Sequence, residues 1–109
     1  MIRYITNLLN DKELGYIADV GYPGEDIEGI FLIDTNSKGS SLHTHEDSIQ
    51  ILIQVSELVD PYLKAKDLAR SITSILEAET EAYQVTSRYV GTKSDKQIFS
   101  INLKIGGVK

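Results

Sequence analysis

Asp47-Ser-Ile-Gln-Ile-Leu-Ile-Gln-Val-Ser-Glu-Leu-Val-Asp-Pro-Tyr-Leu-Lys-Ala-Lys-Asp-Leu-Ala-Arg-Ser-Ile-Thr-Ser-Ile-Leu76 is the stretch whose reading decides the fold. Ile49, Ile51, Ile53 and Val55 alternate with Gln50, Leu52, Gln54 and Ser56. Successive side chains of an extended chain point to opposite faces, so this is a half-buried strand with one apolar face. After Pro61 the period lengthens to that of a helix: Ala65, Leu68, Ile72 and Ile75 form a stripe that Ala69 and Leu76 widen. Lys64, Lys66, Asp67 and Arg70 fall outside it and read as a solvated face. Asp60 is expected to cap the first free N–H groups, with Pro61 at the first helical position where its missing donor costs nothing.

Upstream, Ile2, Ile5, Leu8 and Leu9 recur at helical spacing and predict a short N-terminal helix over residues 1–11. Gly15–Val20 is β-compatible and stops at Gly21-Tyr-Pro-Gly24, which suits an edge strand followed by a turn. Glu28–Asp34 is a continuous apolar run too short for a helix, as expected of a central strand buried on both faces. Thr35–Asp47 is the most polar stretch, and a loop of this length marks a candidate contact surface: Ser37, Lys38, Ser40, Ser41, His43, His45, Glu46 and Asp47. Downstream of the long helix, Glu77, Glu79 and Glu81 place acid where the helix dipole favours cations, so that end is expected to fray. Ala82–Val90 and Gln97–Ile105 alternate as two strands joined at Gly91–Asp95, an antiparallel hairpin, and residues 106–109 are expected to be loose.

The sum is one domain over residues 1–109: an α+β two-layer sandwich, its mostly antiparallel sheet packed on one long helix plus the short N-terminal helix. The face away from the helix carries Gln50, Leu52, Gln54, Thr86 and Ile98, a mixed surface suited to solvent or to a neighbouring subunit. An apolar share of 41% and a charged share of 25% are ordinary for a globular domain. The absence of cysteine excludes disulfides and thiolate metal sites. No continuous apolar run opens the chain, so a soluble, unsecreted protein is expected. A net charge of −5 argues against sequence-independent nucleic-acid binding.

His43-Thr-His45, followed by Glu46 and Asp47, is the best metal candidate, yet zinc needs more ligands than two histidines in a loop supply, and a solvated polar loop is the favoured reading. Asn36–Ser41 lacks the glycine spacing of a phosphate-cradling loop. No nucleophile is paired with a base. Tyr4, Tyr16, Tyr22, Tyr62, Tyr83 and Tyr89 lack interleaved arginines and read as packing at a core edge or an interface.

Ile2-Arg-Tyr-Ile-Thr-Asn-Leu-Leu9, Ser48-Ile-Gln-Ile-Leu-Ile-Gln-Val55, Lys64-Ala-Lys-Asp-Leu-Ala-Arg-Ser-Ile-Thr-Ser-Ile-Leu76 and Gln97-Ile-Phe-Ser-Ile-Asn-Leu-Lys-Ile105, in this order, resemble the tail-terminator (minor capsid or tail-completion) proteins of long-tailed bacteriophages. The resemblance implies a structural virion protein, with no catalysis and no cofactor. It implies a ring, typically of six subunits, on the head-proximal end of the tail tube, which stops tube polymerisation and meets the head connector. The implied partners are further copies of the chain, the tube protein and the connector or stopper, with DNA passing through and no membrane. The implied location is the virion neck, after assembly in the host cytoplasm. An acidic lumen built from Glu46, Asp47, Glu77, Glu79 and Glu81 would let DNA slide by like-charge repulsion. Rival expectations are another head–tail neck component and a ligand- or metal-binding α+β module using His43 and His45.

Overall fold

The computed structural model describes residues 2–24, 27–35, 46–56, 60–93 and 96–106. In chain order these form α1 (Ile2–Asp11), β1 (Ala18–Val20), β2 (Gly29–Asp34), β3 (Glu46–Val55), α2 (Pro61–Glu79), β4 (Ala82–Lys93) and β5 (Lys96–Gly106). The fold is α+β, with the strands in one sheet of order β1-β2-β3-β5-β4. β1 and β2 run parallel, and the other pairs are antiparallel.

The alternation in β3 does what its pattern predicts. Ile53 stands between Ile30 and Phe99, Ile51 between Leu32 and Ile101, and Ile49 beside Leu103. These side chains are buried in one core with Ala65, Leu68, Ala69, Ile72 and Leu76 of α2 and with Ile5 and Leu9 of α1. Both helices therefore pack on the same sheet face. Each fully buried isoleucine or leucine contributes about 1.5–3 kcal/mol of burial free energy, so this layer is the main source of stability. β2 is apolar on both faces because it lies second from the sheet edge: Ile30, Leu32 and Ile33 are all buried.

Several boundaries differ from the sequence-based expectation. β3 begins at Glu46, since its ladder to β5 continues through Asp47↔Ile105 and Glu46↔Gly106. Backbone pairing thus takes Glu46 and Asp47 out of the loop and Gly106 out of the tail. β1 is only Ala18–Val20, because Gly15 at φ 93 turns the chain before it. Gly91 lies inside β4, which runs on to Lys93. The ladder skips from Tyr89↔Phe99 to Gly91↔Ile98, and Gly91 absorbs the extra residue with φ 145. Such a bulge is the usual way a strand carries one surplus residue without losing its partner.

The ends of α2 also depart from expectation. Asp60 adopts the left-handed conformation, φ 49 and ψ 58, and its side chain makes no capping hydrogen bond. A capping side chain needs extended backbone at that position. Its carbonyl accepts from Lys64 N–H at 3.0 Å. The C-terminal end is tied rather than frayed. Thr80 N–H donates to Leu76 O at 3.1 Å, the Thr80 hydroxyl donates to the same carbonyl, and Ala82 N–H donates to Thr80 Oγ1 at 3.2 Å. Lys12 also pairs with Glu79, linking this end to the segment after α1.

Candidate interaction surfaces

The sheet face away from the helices is partly closed by the connection between β1 and β2. Gln54 is only 6% exposed, and its Nε2 donates to the carbonyls of Ile27 at 2.7 Å and Gly24 at 3.3 Å. The Ser56 hydroxyl adds a bond to the Glu28 carboxylate. At the end of this strap Gly29 has φ 148, and a Cβ there would stand 3.2 Å from the Ile17 carbonyl oxygen and 3.3 Å from the Phe31 ring. Glycine is required by both conformation and space. Further along, Gln50 Nε2 donates to Ser100 Oγ at 3.0 Å, and Ser100 is fully buried.

Gln50, Leu52, Gln54 and Ile98 do share one face, since Gln54 pairs with Ile98, Leu52 with Ser100 and Gln50 with Asn102. The expectation of an uncovered surface is corrected. Gln54 and Ile98 are buried within the chain, and Gln50 and Leu52 keep only intermediate exposure. An amide in a strand centre finds carbonyls to satisfy it, and those carbonyls bring a covering segment with them.

Ser37, Lys38, Ser40, Ser41, His43 and His45 lie outside the described residues. Among the described residues no group of three or more histidine, cysteine or acidic side chains is placed to hold a metal. Glu77, Glu79 and Glu81 are exposed at the end of α2, with Glu79 engaged by Lys12.

A second surface escapes the sequence reading. Tyr62 of α2, Tyr89 of β4 and Phe99 of β5 form a triangle of rings, with centroids 5.2, 5.6 and 5.2 Å apart. Distances and tilts of this kind are favourable for aromatic pairs. The Tyr89 hydroxyl is held by Gln97 at 2.6 Å and Thr92 at 3.1 Å. Lys66 Nζ lies 6.0 Å from the Tyr62 ring centroid. These rings line a half-open groove of about 320 Å³ with Lys66, Ala69, Arg70, Thr73, Ser87 and Arg88. Tyr62, Lys66, Ala69 and Thr73 come to one side of α2 by their spacing. No carboxylate borders this groove. Thr73 Oγ1 is buried there without a hydrogen-bond partner among the described residues.

Among the described residues, the large apolar side chains left in solvent are Tyr4 of α1, Leu63 of α2 and two groups beside the sheet edges. Tyr62, Tyr89 and Val90 flank the β4 edge, whereas Ile17, Val20, Tyr22 and Ile27 flank the β1 edge, with Ile17 and Tyr22 78% and 79% exposed. With strands about 4.8 Å apart, four spacings separate these edges by roughly 19 Å. The backbone of the β1 edge is largely occupied. Ile30 N–H donates to Ile17 O and Gly21 N–H to Leu32 O, so the polar groups of Ala18 point away from β2. The Asn10 side chain meets both of them, donating to Ala18 O at 3.0 Å and accepting from Ala18 N–H at 2.8 Å. Val20 N–H donates to Asp19 Oδ1 at 2.8 Å.

The chain matches no protein-family model, and no curated protein matches it. No described helix is long and apolar enough to cross a membrane.

Proposed function

We propose that this protein is a structural, non-enzymatic ring-forming component of a phage or prophage neck, a tail terminator that caps the head-proximal end of the tail tube. The observation that carries this reading is the presence of two unlike groups of exposed apolar side chains beside opposite sheet edges. A closed ring requires two different, mutually complementary patches per subunit, whereas a two-fold dimer requires one patch that matches itself. The resemblance in order of the N-terminal helix, the β3 strand, the α2 pattern and the C-terminal strand supports the same reading. On it, the partners are further copies, six in number by that resemblance alone, the tube protein and the head connector, and the place of action is the virion neck. Weak head-to-tail contacts gain from a symmetric platform, so the free chain need not be a ring. The test is sedimentation or native mass measurement of the purified protein with and without assembled tail tubes. Binding to tube ends with arrest of elongation is expected, and no binding to tubes refutes the proposal.

A further inference from the structure

We infer that the groove between α2 and β4 receives the β1 edge of a second copy of this chain, with Tyr22 of that copy seated against Tyr62, Tyr89 and Phe99. The inference deepens the ring-forming proposal and rests on it for the closure of the contact.

Charge complementarity names the occupant. From Glu13 to Asp34 the chain carries Glu13, Asp19, Glu25, Asp26, Glu28 and Asp34 and neither lysine nor arginine. The β1 edge therefore belongs to the most one-sided acidic segment of the chain, and Ile17 and Tyr22 stand out from it into solvent. The groove has the opposite character: Lys66, Arg70 and Arg88 line it, and no carboxylate does. In a protein of net charge −5, an acid-free groove with three cations is selective for an acidic visitor. Its volume, about 320 Å³, is at the lower end for ligand pockets and suits a single aromatic side chain. Three rings already stand at packing distance there, so a fourth extends an existing aromatic cluster.

The largely occupied backbone of the β1 edge shapes the contact further. Asn10 occupies the outward groups of Ala18, and Asp19 occupies Val20 N–H, so this edge meets a neighbour through side chains rather than by adding a strand. The two surfaces are different parts of one chain, which makes the contact head-to-tail and leaves the bound pair with one groove and one edge still free.

Because the chain has no cysteine, engineered thiols report this contact against a blank background. Full-length chains carrying Val20→Cys, which keeps Tyr22, are mixed in equal amounts with chains carrying Ser87→Cys, which keeps the rings and cations of the groove, at high protein concentration and low salt, and oxidised. Chains carrying Asn102→Cys, on an exposed position of the other sheet face, set the level of random cross-linking. The mixed Val20→Cys/Ser87→Cys product is expected to exceed each like-with-like product by about tenfold or more and to collapse in about 1 M salt, where the screening length falls to about 3 Å. A mixed product no greater than the like-with-like products or the Asn102→Cys level overturns the inference, and a yield indifferent to salt overturns its electrostatic basis. A second test keeps the thiols and adds charge reversal. Ser87→Cys chains with Lys66→Glu and Arg70→Glu should lose the mixed product, and Asp19→Lys together with Glu28→Lys in the Val20→Cys chain should restore it; failure of that rescue also counts against the contact. Cross-linking without tube binding would leave this contact standing and sink the terminator role, whereas tube capping without cross-linking would sink this contact alone.

Discussion

Replacing Gln54 by glutamate puts the sharpest demand on the account of the strapped sheet face. Gln54 is 6% exposed in the middle of the sheet, and its Nε2 supplies both hydrogens that hold the carbonyls of Gly24 and Ile27. Glutamate keeps the shape, but when ionised it faces two carbonyl oxygens with no donor of its own. A buried charge stripped of partners costs about 3–5 kcal/mol. The same penalty holds the introduced carboxyl's folded-state pKa above the usual glutamate range, because burial against two carbonyl oxygens disfavours the charged form. The sign follows from linkage. The folded state then binds the proton more tightly than the unfolded chain, so the deficit is full above the raised pKa and shrinks as pH falls through it. Near pH 4 the protonated acid donates one bond again, and a residual deficit of about 1 kcal/mol remains. Urea unfolding of both proteins from pH 7.5 to pH 4.5 measures this directly. With a slope of about 1.5 kcal/mol/M, the midpoint of Gln54→Glu should fall by roughly 2 M at the upper pH and by well under half of that at the lower. A deficit below about 1 kcal/mol at pH 7.5, or one of equal size at both ends, would refute the burial and the two bonds.

Asn10→Ala removes both bonds to Ala18 and leaves its backbone groups unmatched, so it should cost about 2–3 kcal/mol in urea unfolding and release the Ala18 amide to fast hydrogen exchange; retained protection at Ala18 would contradict the clamp. Thr73→Val deletes a buried hydroxyl that has no partner and should stabilise the protein by about 1 kcal/mol, raising the thermal midpoint by several degrees. Gly91→Ala meets nothing within 4 Å, so its expected loss of about 1–2 kcal/mol comes from the backbone at φ 145 alone; an unchanged midpoint would mean that the bulge relaxes.

What the sequence discloses here is periodicity. The β3 alternation, the α2 stripe, the double-sided β2 and the C-terminal hairpin all rest on it, and all stand in the fold. What it conceals is pairing between distant residues. Gln54 reads as a solvent-facing polar residue because nothing local shows that Gly24 and Ile27 will present carbonyls to it. Lys66 and Arg70 read as an ordinary charged helix face, and they border a groove only because β4 brings Tyr89 across to Tyr62. Asp60 before Pro61 has the composition of a cap, but the chain enters α2 through a left-handed residue, and that geometry lies in the turn rather than in the residue type. Asn10 looks like a helix terminator and turns out to stand in for a missing strand.

That last substitution bears on runaway growth. A sheet with an open flank can recruit identical chains through main-chain bonds that ignore side-chain identity, and such addition has no natural stopping number. Here one flank is three residues long, and a side-chain amide and a neighbouring carboxylate consume both outward groups of Ala18 and the N–H of Val20. The other flank is interrupted by register shifts between Ala82 and Gln84 and between Tyr89 and Gly91. Copies of this chain are thereby denied the indiscriminate route to a fibre, and any association they make is left to shape and charge, which fix an angle between neighbours and so can limit the count.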